Sequence, residues 1–176
     1  MSDSRSKVKG QRMHRDLENG FSFWRPLNWR QRDLPEQNGV VYYPEDDPRT
    51  GLYVLAKDLG QELGEPISQF DLPVLRDALV EGLLDMPGAE IHAEKEISKE
   101  SALGFEFVLS CELQGEPCKR CMRVLYKDWL QVTIYGQGVP PADYGVFENV
   151  FDWIYLTFTF SDLLEQLDSM YPTPPV

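Results

Sequence analysis

The sequence predicts an α+β protein in which a single antiparallel β-sheet packs against helices, and three observations carry that expectation. Phe105, Phe107, Leu109, Cys111 and Leu113 alternate with Glu106, Val108, Ser110 and Glu112, the period of a strand with one buried face. Two more runs follow, Cys118, Met122, Val124 and Tyr126 sharing one parity and Leu130, Val132 and Ile134 another. Gly115, Pro117 and Asp128 break the runs, which reads as three strands joined by tight turns. Stripes of helical spacing flank this meander, at Leu72, Leu75, Leu79, Leu83 and Met86 and again from Phe147 to Phe158.

In chain order, residues 1–19 are polar and without pattern. They carry Arg5, Lys7, Lys9, Arg12 and Arg15 and almost nothing apolar, so they read as a flexible basic arm that cannot offset the entropy of ordering. Phe21, Phe23 and Trp29, interrupted by Pro26, suggest a short opening strand and the entry into a second. Gly39 precedes Val40, Val41, Tyr42 and Tyr43, a β-branched and aromatic run stopped by Pro44. Residues 45–51 have turn chemistry, and Leu52, Val54 and Ala56 resume at period two, which makes a hairpin. After a loop at 60–66, Asp71 is placed to cap a helix that tolerates Pro73 in its first turn and ends at Pro87-Gly88.

Residues 91–97 read as a strand whose Glu and Lys content marks a sheet edge. Beyond the meander and a loop at 138–141, Phe147, Val150, Phe151, Ile154, Tyr155 and Phe158 form one wide helical face. Leu156, Phe158 and Phe160 also alternate with threonines as a strand would, but the unbroken stripe from Phe147 favours a closing helix. Ser161 is placed to cap a last helical segment at 162–170, before a Pro-rich tail at 171–176. With no repeat or linker inside it, the body from 20 to 170 reads as one domain.

This order of elements resembles the Mog/PsbP-like family. The resemblance rests on Gly39 to Pro44, Gly51 to Ala56, the helix after Asp71, Gly104 to Phe107, the strands at 118–126 and 129–134, and the stripe from Phe147 to Phe160. It covers about residues 20–160 and implies one antiparallel sheet covered by helices, in a family whose familiar members dock to proteins. No functional motif is present to align, so it implies no site residue.

Composition narrows the function classes. The net charge of −12 is uneven: residues 1–32 hold eight Lys/Arg against three Asp/Glu, and residues 33–176 hold nine against twenty-six. A strongly acidic body repels phosphate backbones, so nucleic acid is not an expected partner. No apolar run is long enough for a membrane span, and the first residues lack the apolar core of an export signal. The expected compartment is the cytoplasm, where the three cysteines would be thiols.

Chemistry is sparse. Cys118 and Cys121 form a C-x-x-C, but zinc commonly takes a second pair, and a redox pair opens a helix where the dipole stabilises the thiolate. Within a strand the spacing of three turns them to opposite faces, which predicts Cys118 inward and Cys121 outward, with Cys111 facing Cys118 across the turn. His14 falls in the basic arm, and His92 lies among glutamates without a positioned partner. Glu45, Asp46 and Asp47 lack the alternating spacing of a calcium loop. Neither a metal, a cofactor nor an enzymatic activity is expected.

The aromatic residues carry the functional expectation. Tyr53, Trp129 and Tyr135 are out of phase with the aliphatic residues of their strands, which puts them on the second sheet face. Either a protein partner covers them there, or they form a second small core with Phe21, Phe23 and Trp24. Tyr and Trp suit interface centres because they bury a large area with few rotamers lost. The function expected is a non-enzymatic protein-interaction module that docks through a sheet face and acidic loops. The alternative is a small-ligand protein or enzyme with a pocket between sheet and helix.

Overall fold

In the computed structural model, the residues described are 10–44, 48–60, 64–99 and 102–160. The strands are β1 (Gln11–Asp16), β2 (Phe21–Pro26), β3 (Arg30–Leu34), β4 (Gly39–Tyr43), β5 (Gly51–Asp58), β6 (Glu90–Lys99), β7 (Ala102–Leu113), β8 (Glu116–Lys127), β9 (Leu130–Gly138) and β10 (Thr159–Phe160). The helices are α1 (Leu72–Leu84), between β5 and β6, and α2 (Pro141–Thr157), between β9 and β10.

The strands form two antiparallel sheets where the sequence suggested one. The larger has the order β3-β4-β5-β9-β8-β7-β6 and the smaller β1-β2-β10. Pro26 ends β2, since it has no N–H to continue a ladder. Phe21 and Phe23 then lie over the large sheet as a second layer, Phe23 edge-on to Tyr42 with ring centres 6.1 Å apart.

The assignment of 1–19 to a flexible arm is also corrected. Residues 11–16 are β1, paired with β2 from Gln11↔Pro26 to Asp16↔Phe21. The strand escapes pattern reading because Met13 is its one aliphatic residue; it is held by the backbone ladder and by His14. Residues 1–9, the acidic turn at 45–47, the segment at 162–170 and the tail at 171–176 lie outside the described residues.

The meander forms as its pattern requires, with one refinement. Gln114 and Gly115 both take positive φ, 54° and 81°, the geometry of a two-residue I′ hairpin turn. Leu113 and Glu116 close that turn, so the next pair, Glu112↔Pro117, falls at a non-hydrogen-bonded position of the ladder. Pro117 therefore sits inside β8 without wasting an acceptor, and the Glu112 amide donates away from β8, to the Pro87 carbonyl at 2.7 Å.

Both faces of the large sheet are covered, so the expectation of one buried face gives way to two cores. On one side Tyr42, Leu52, Val54, Val132 and Ile134 pack under α2 and the small sheet. On the other, Phe105, Phe107, Leu109, Cys118 and Val124 pack under α1 and the preceding segment through Leu59 and Ile67. β8 serves both, with Cys121 and Leu125 facing α2 and Cys118, Met122, Val124 and Tyr126 facing α1.

α2 starts at Pro141, before its apolar stripe, because proline is pre-organised for a first helical turn. It ends at Thr157, and Thr159 and Phe160 turn extended to pair with Ser22 and Phe21. The helix and strand patterns at 155–160 are thus each realised in part. At the head of α1, Asp71 makes no side-chain cap bond, and its carboxylate accepts instead from the Ser68 N–H and hydroxyl, both at 2.8 Å. β6 is a sheet edge carrying Glu94, Lys95 and Glu96, with its register shifted at His92. Such charges and bulges discourage pairing with other chains.

Candidate functional site: an aromatic platform on the sheet

Tyr53 on β5 and Tyr135 on β9 are direct partners in the ladder. Their side chains share a face, and the rings stack with centres 4.7 Å apart and planes 7° from parallel. The Tyr53 hydroxyl donates to the Pro48 carbonyl at 2.8 Å, which fixes the outer ring. Arg120, on β8, lays its guanidinium 4.3 Å from the centre of the Tyr135 ring. Its Nε and Nη2 donate to Gln137 Oε1 at 3.2 and 2.7 Å. Gln137, 2% exposed, donates in turn to the Arg49 carbonyl at 2.7 Å. The result is a rigid layer of two phenols and one guanidinium, in which burial pushes the Tyr135 hydroxyl up to about 12. The layer presents flat aromatic surface beside a cation.

Of the three residues named from sequence, two come together and one does not. Trp129 occupies the β8–β9 turn beside Asp128, whose φ is 54°. At about 3.3 Å per residue it lies roughly 20 Å along the strand from Tyr135. It is 39% exposed and lines a separate hollow of about 350 Å³ with Leu17, Asp58 and Phe160. The second core also differs from the one expected. Phe21 and Phe23 join the α2 side, and Tyr135 packs against residues of the α1 side. Arg120 and Gln137 were not singled out from sequence, although the strand register places Arg120 opposite Gln137.

The thiols are built as structure. Cys111 and Cys118 are direct cross-strand partners on the α1 face, and burial pushes the Cys118 thiol up to about 12. Cys121 is 6% exposed, not outward as expected, because α2 covers that face. Burial pushes its thiol up to about 11, with the Glu106 carboxylate adding to the shift. Neutral, buried thiols are poor nucleophiles and poor ligands. Cys118 and Cys121 face different cores and cannot converge on one ion. His92 is exposed on β6, 2.9 Å from the Ser110 hydroxyl. His14 is built into the fold, its Nδ1 2.7 Å from the Tyr42 hydroxyl.

A second concavity, a groove of about 600 Å³, runs between β6–β8 and the end of α2. Ile97, Leu125, Leu156 and Phe158 supply its apolar lining and Glu106, Arg123 and Asp152 its charge. Arg123 pairs with Glu106 at 2.5 Å and donates to the Tyr155 carbonyl at 3.1 Å, which anchors its guanidinium to both β7 and α2.

The two layers of antiparallel strands, with one helix on each face of the large sheet, define the Mog/PsbP-like fold. The chain is similar to the cyanobacterial PsbP, CyanoP, of Synechocystis sp. PCC 6803, with a TM-score of 0.64 at 10% identity over 88% of this chain and 94% of that one. It is similar to LpqN of Mycobacterium tuberculosis, a protein involved in cell envelope biogenesis, with a TM-score of 0.57 at 14% identity over 80% and 83%. The Ran-binding protein Mog1p of Saccharomyces cerevisiae gives a TM-score of 0.51 at 10% identity over 87% and 96%. At the level of sequence, no protein-family profile and no curated protein matches the chain. Among the described residues no helix is long and apolar enough to cross a membrane.

Proposed function

We propose that this chain is a non-enzymatic, cytoplasmic docking module that binds a protein partner through the sheet face around Tyr53 and Tyr135. The observation that supports this most directly is the stacked pair itself. Two half-buried tyrosines are held parallel at 4.7 Å, beside a guanidinium fixed by Gln137. Rigid aromatic and arginine side chains lose little entropy on association and dominate the energetics of many interfaces. The fold offers support of a coarser kind, since one protein that shares it binds Ran. Trp129, remote from the pair, belongs to the rim of such an interface or to a separate contact. The buried, neutral thiols offer no activated nucleophile, and the His92–Ser110 contact stands exposed on the edge strand.

The test is cross-linking of the full-length protein in cells, followed by mass spectrometry, with Tyr53→Ala, Tyr135→Ala and Trp129→Ala compared. A partner cross-linked by the wild type and lost from both tyrosine variants, with melting temperature monitored in parallel, is the expected result. A partner retained by both variants would remove the platform from the interface.

The second reading, a small-ligand protein, is favoured by the groove at the end of α2, whose volume of about 600 Å³ lies within the range of small-molecule sites. Its one arginine, Arg123, is already held by Glu106 and the Tyr155 carbonyl, which ranks it below the docking function.

A further inference from the structure

The outward side of α2 has a composition that the fold does not explain. Tyr144, Phe147, Phe151, Ile154 and Tyr155 are buried beneath it. Glu148, Asp152 and Leu156 follow one another at intervals of four, one row on the solvent side, with Trp153 beside them. Trp153 is 42% exposed and Leu156 76%. Trp24 of β2, 38% exposed, adjoins this end of the helix, its amide donating to Thr157 Oγ1 at 3.1 Å. Asp152 and Leu156 also line the 600 Å³ groove, so patch and groove are continuous. Two exposed tryptophans and a leucine next to a groove of mixed apolar and charged lining are the composition of a contact surface and are unusual for a solvated helix face.

The charge around this patch selects the partner. Lys119 lies 3.5 Å from Glu148, and Arg123 is committed to Glu106. Asp152 has no ion pair among the described residues. Part-burial, then Glu148, then Glu106 raise its carboxyl above the ordinary value, against the weaker opposing pull of Arg123 and Lys119. A cation brought to this point would relieve that crowding, and the net charge of −12 would speed its approach. Exposed indole faces favour the same kind of visitor through cation–π contact.

We infer that the outward face of α2, from Glu148 to Leu156 and into the adjoining groove, docks a basic amphipathic segment of a partner protein, with Asp152 meeting its Lys or Arg and Trp153 and Leu156 its apolar side chains. This surface lies on the side of the large sheet opposite the tyrosine platform, so the two stand or fall separately.

The test titrates the full-length protein with a short, capped helical peptide made only of leucine and lysine, and with its leucine–glutamate counterpart, by calorimetry and tryptophan fluorescence. The expected result is binding of the lysine peptide alone, weakening as salt is raised. Affinity should drop about tenfold or more in Asp152→Asn/Glu148→Gln and in Trp153→Ala/Leu156→Ser. It should not change in Phe70→Ser, which alters a residue 83% exposed next to α1. The carboxylate variants are isosteric and on the surface, so they remain informative if the apolar pair disturbs folding. Absence of binding would overturn the inference. So would equal binding of both peptides, or equal binding by the carboxylate variants. Binding that appears only after removal of residues 161–176 would also overturn it, since the chain's own end would then be the occupant.

Discussion

The two faces of the large sheet are covered in different ways. Against α2 the packing is close enough that side chains are excluded: a Cβ on Gly136 would stand 2.5 Å from the Phe151 ring. One on Gly138 would collide with the Tyr144 backbone. Five residues of α2 are buried, and the Tyr155 hydroxyl both donates to the Cys121 carbonyl at 2.6 Å and accepts the Gly136 amide at 2.7 Å. Against α1 only Leu72 and Leu83 are buried, and Leu75, Leu79 and Val80 are half-exposed. Phe70 and Val74 stand in solvent at 83% and 74% exposure. The first face is a fixed joint and the second a looser cover. The tyrosine platform shares the loosely covered side, and the proposed α2 surface lies on the outside of the fixed joint.

The largest effect that sharpens this contrast is expected from Phe151→Ala. It empties the centre of the close-packed face, where deletion of a buried phenylalanine ordinarily costs about 3–5 kcal/mol. Urea unfolding should show that loss, with far- and near-ultraviolet circular dichroism moving together. A loss below about 1 kcal/mol would mean that the α2 face is not the mechanical centre of the fold. Leu83→Ala, on the other face, is expected to cost about 2–3 kcal/mol, and Leu79→Ala less, since it is half-exposed already. Hydrogen exchange should rank the faces independently, with α1 amides opening at lower free energy than α2 amides. Equal protection of the two helices would break the comparison.

Tyr155→Phe is the next step down. It removes the hydroxyl that bridges the Cys121 carbonyl and the Gly136 amide in the interior, at a cost of about 1–3 kcal/mol. Thermal unfolding of this variant beside the wild type measures the effect of the doubly bonded hydroxyl. Identical melting temperatures for the two would show that the joint is held by shape alone.

This contrast also governs how much of the molecule was legible in its sequence. The hairpin of β4 and β5, the meander of β7–β9 and the stripe of α1 all carry their period in the residues themselves. Which face each run addresses is not written there, because alternation gives parity and says nothing about which helix lies above. Hence Cys121 was placed outward, although its parity was right and α2 covers it. The small sheet was invisible for another reason. β1 is polar, β10 is two residues long, and both depend on pairing with β2, a long-range contact that local pattern does not report. Tyr53 and Tyr135 were legible by phase, whereas Arg120 and Gln137 emerged only through the register of β8 against β9. Trp153 was hidden by its own helix, since an exposed indole one residue from a buried stripe looks like part of that stripe.

The smallest expected effect tests the attachment of β1, which joins the close-packed side through one histidine. His14 stacks on Phe23 with ring centres 4.8 Å apart, its Nδ1 meets the Tyr42 hydroxyl, and its Nε2 is buried without a hydrogen-bond partner. Burial lowers its pKa below the ordinary 6.5 and Arg25 adds to this, while Asp16 and Asp33 push the other way. Tyr42 is pushed up to about 12 and stays neutral throughout. Above pH 6.5 the ring is neutral in the folded and the unfolded chain, and its contribution to stability is complete. As the pH falls below 6.5 the unfolded chain takes up the proton first, and stability is lost progressively through the lower folded value, by at most about 1.4 kcal/mol per pH unit. Urea unfolding at successive pH values from 7.5 downward should therefore show a steeper acid loss in the wild type than in His14→Phe. Removal of residues 1–19 should flatten the profile in the same way and lower the melting temperature even at neutral pH, because β1 goes with it. Parallel pH profiles for wild type and His14→Phe would show that this ring does not couple the small sheet to the fold.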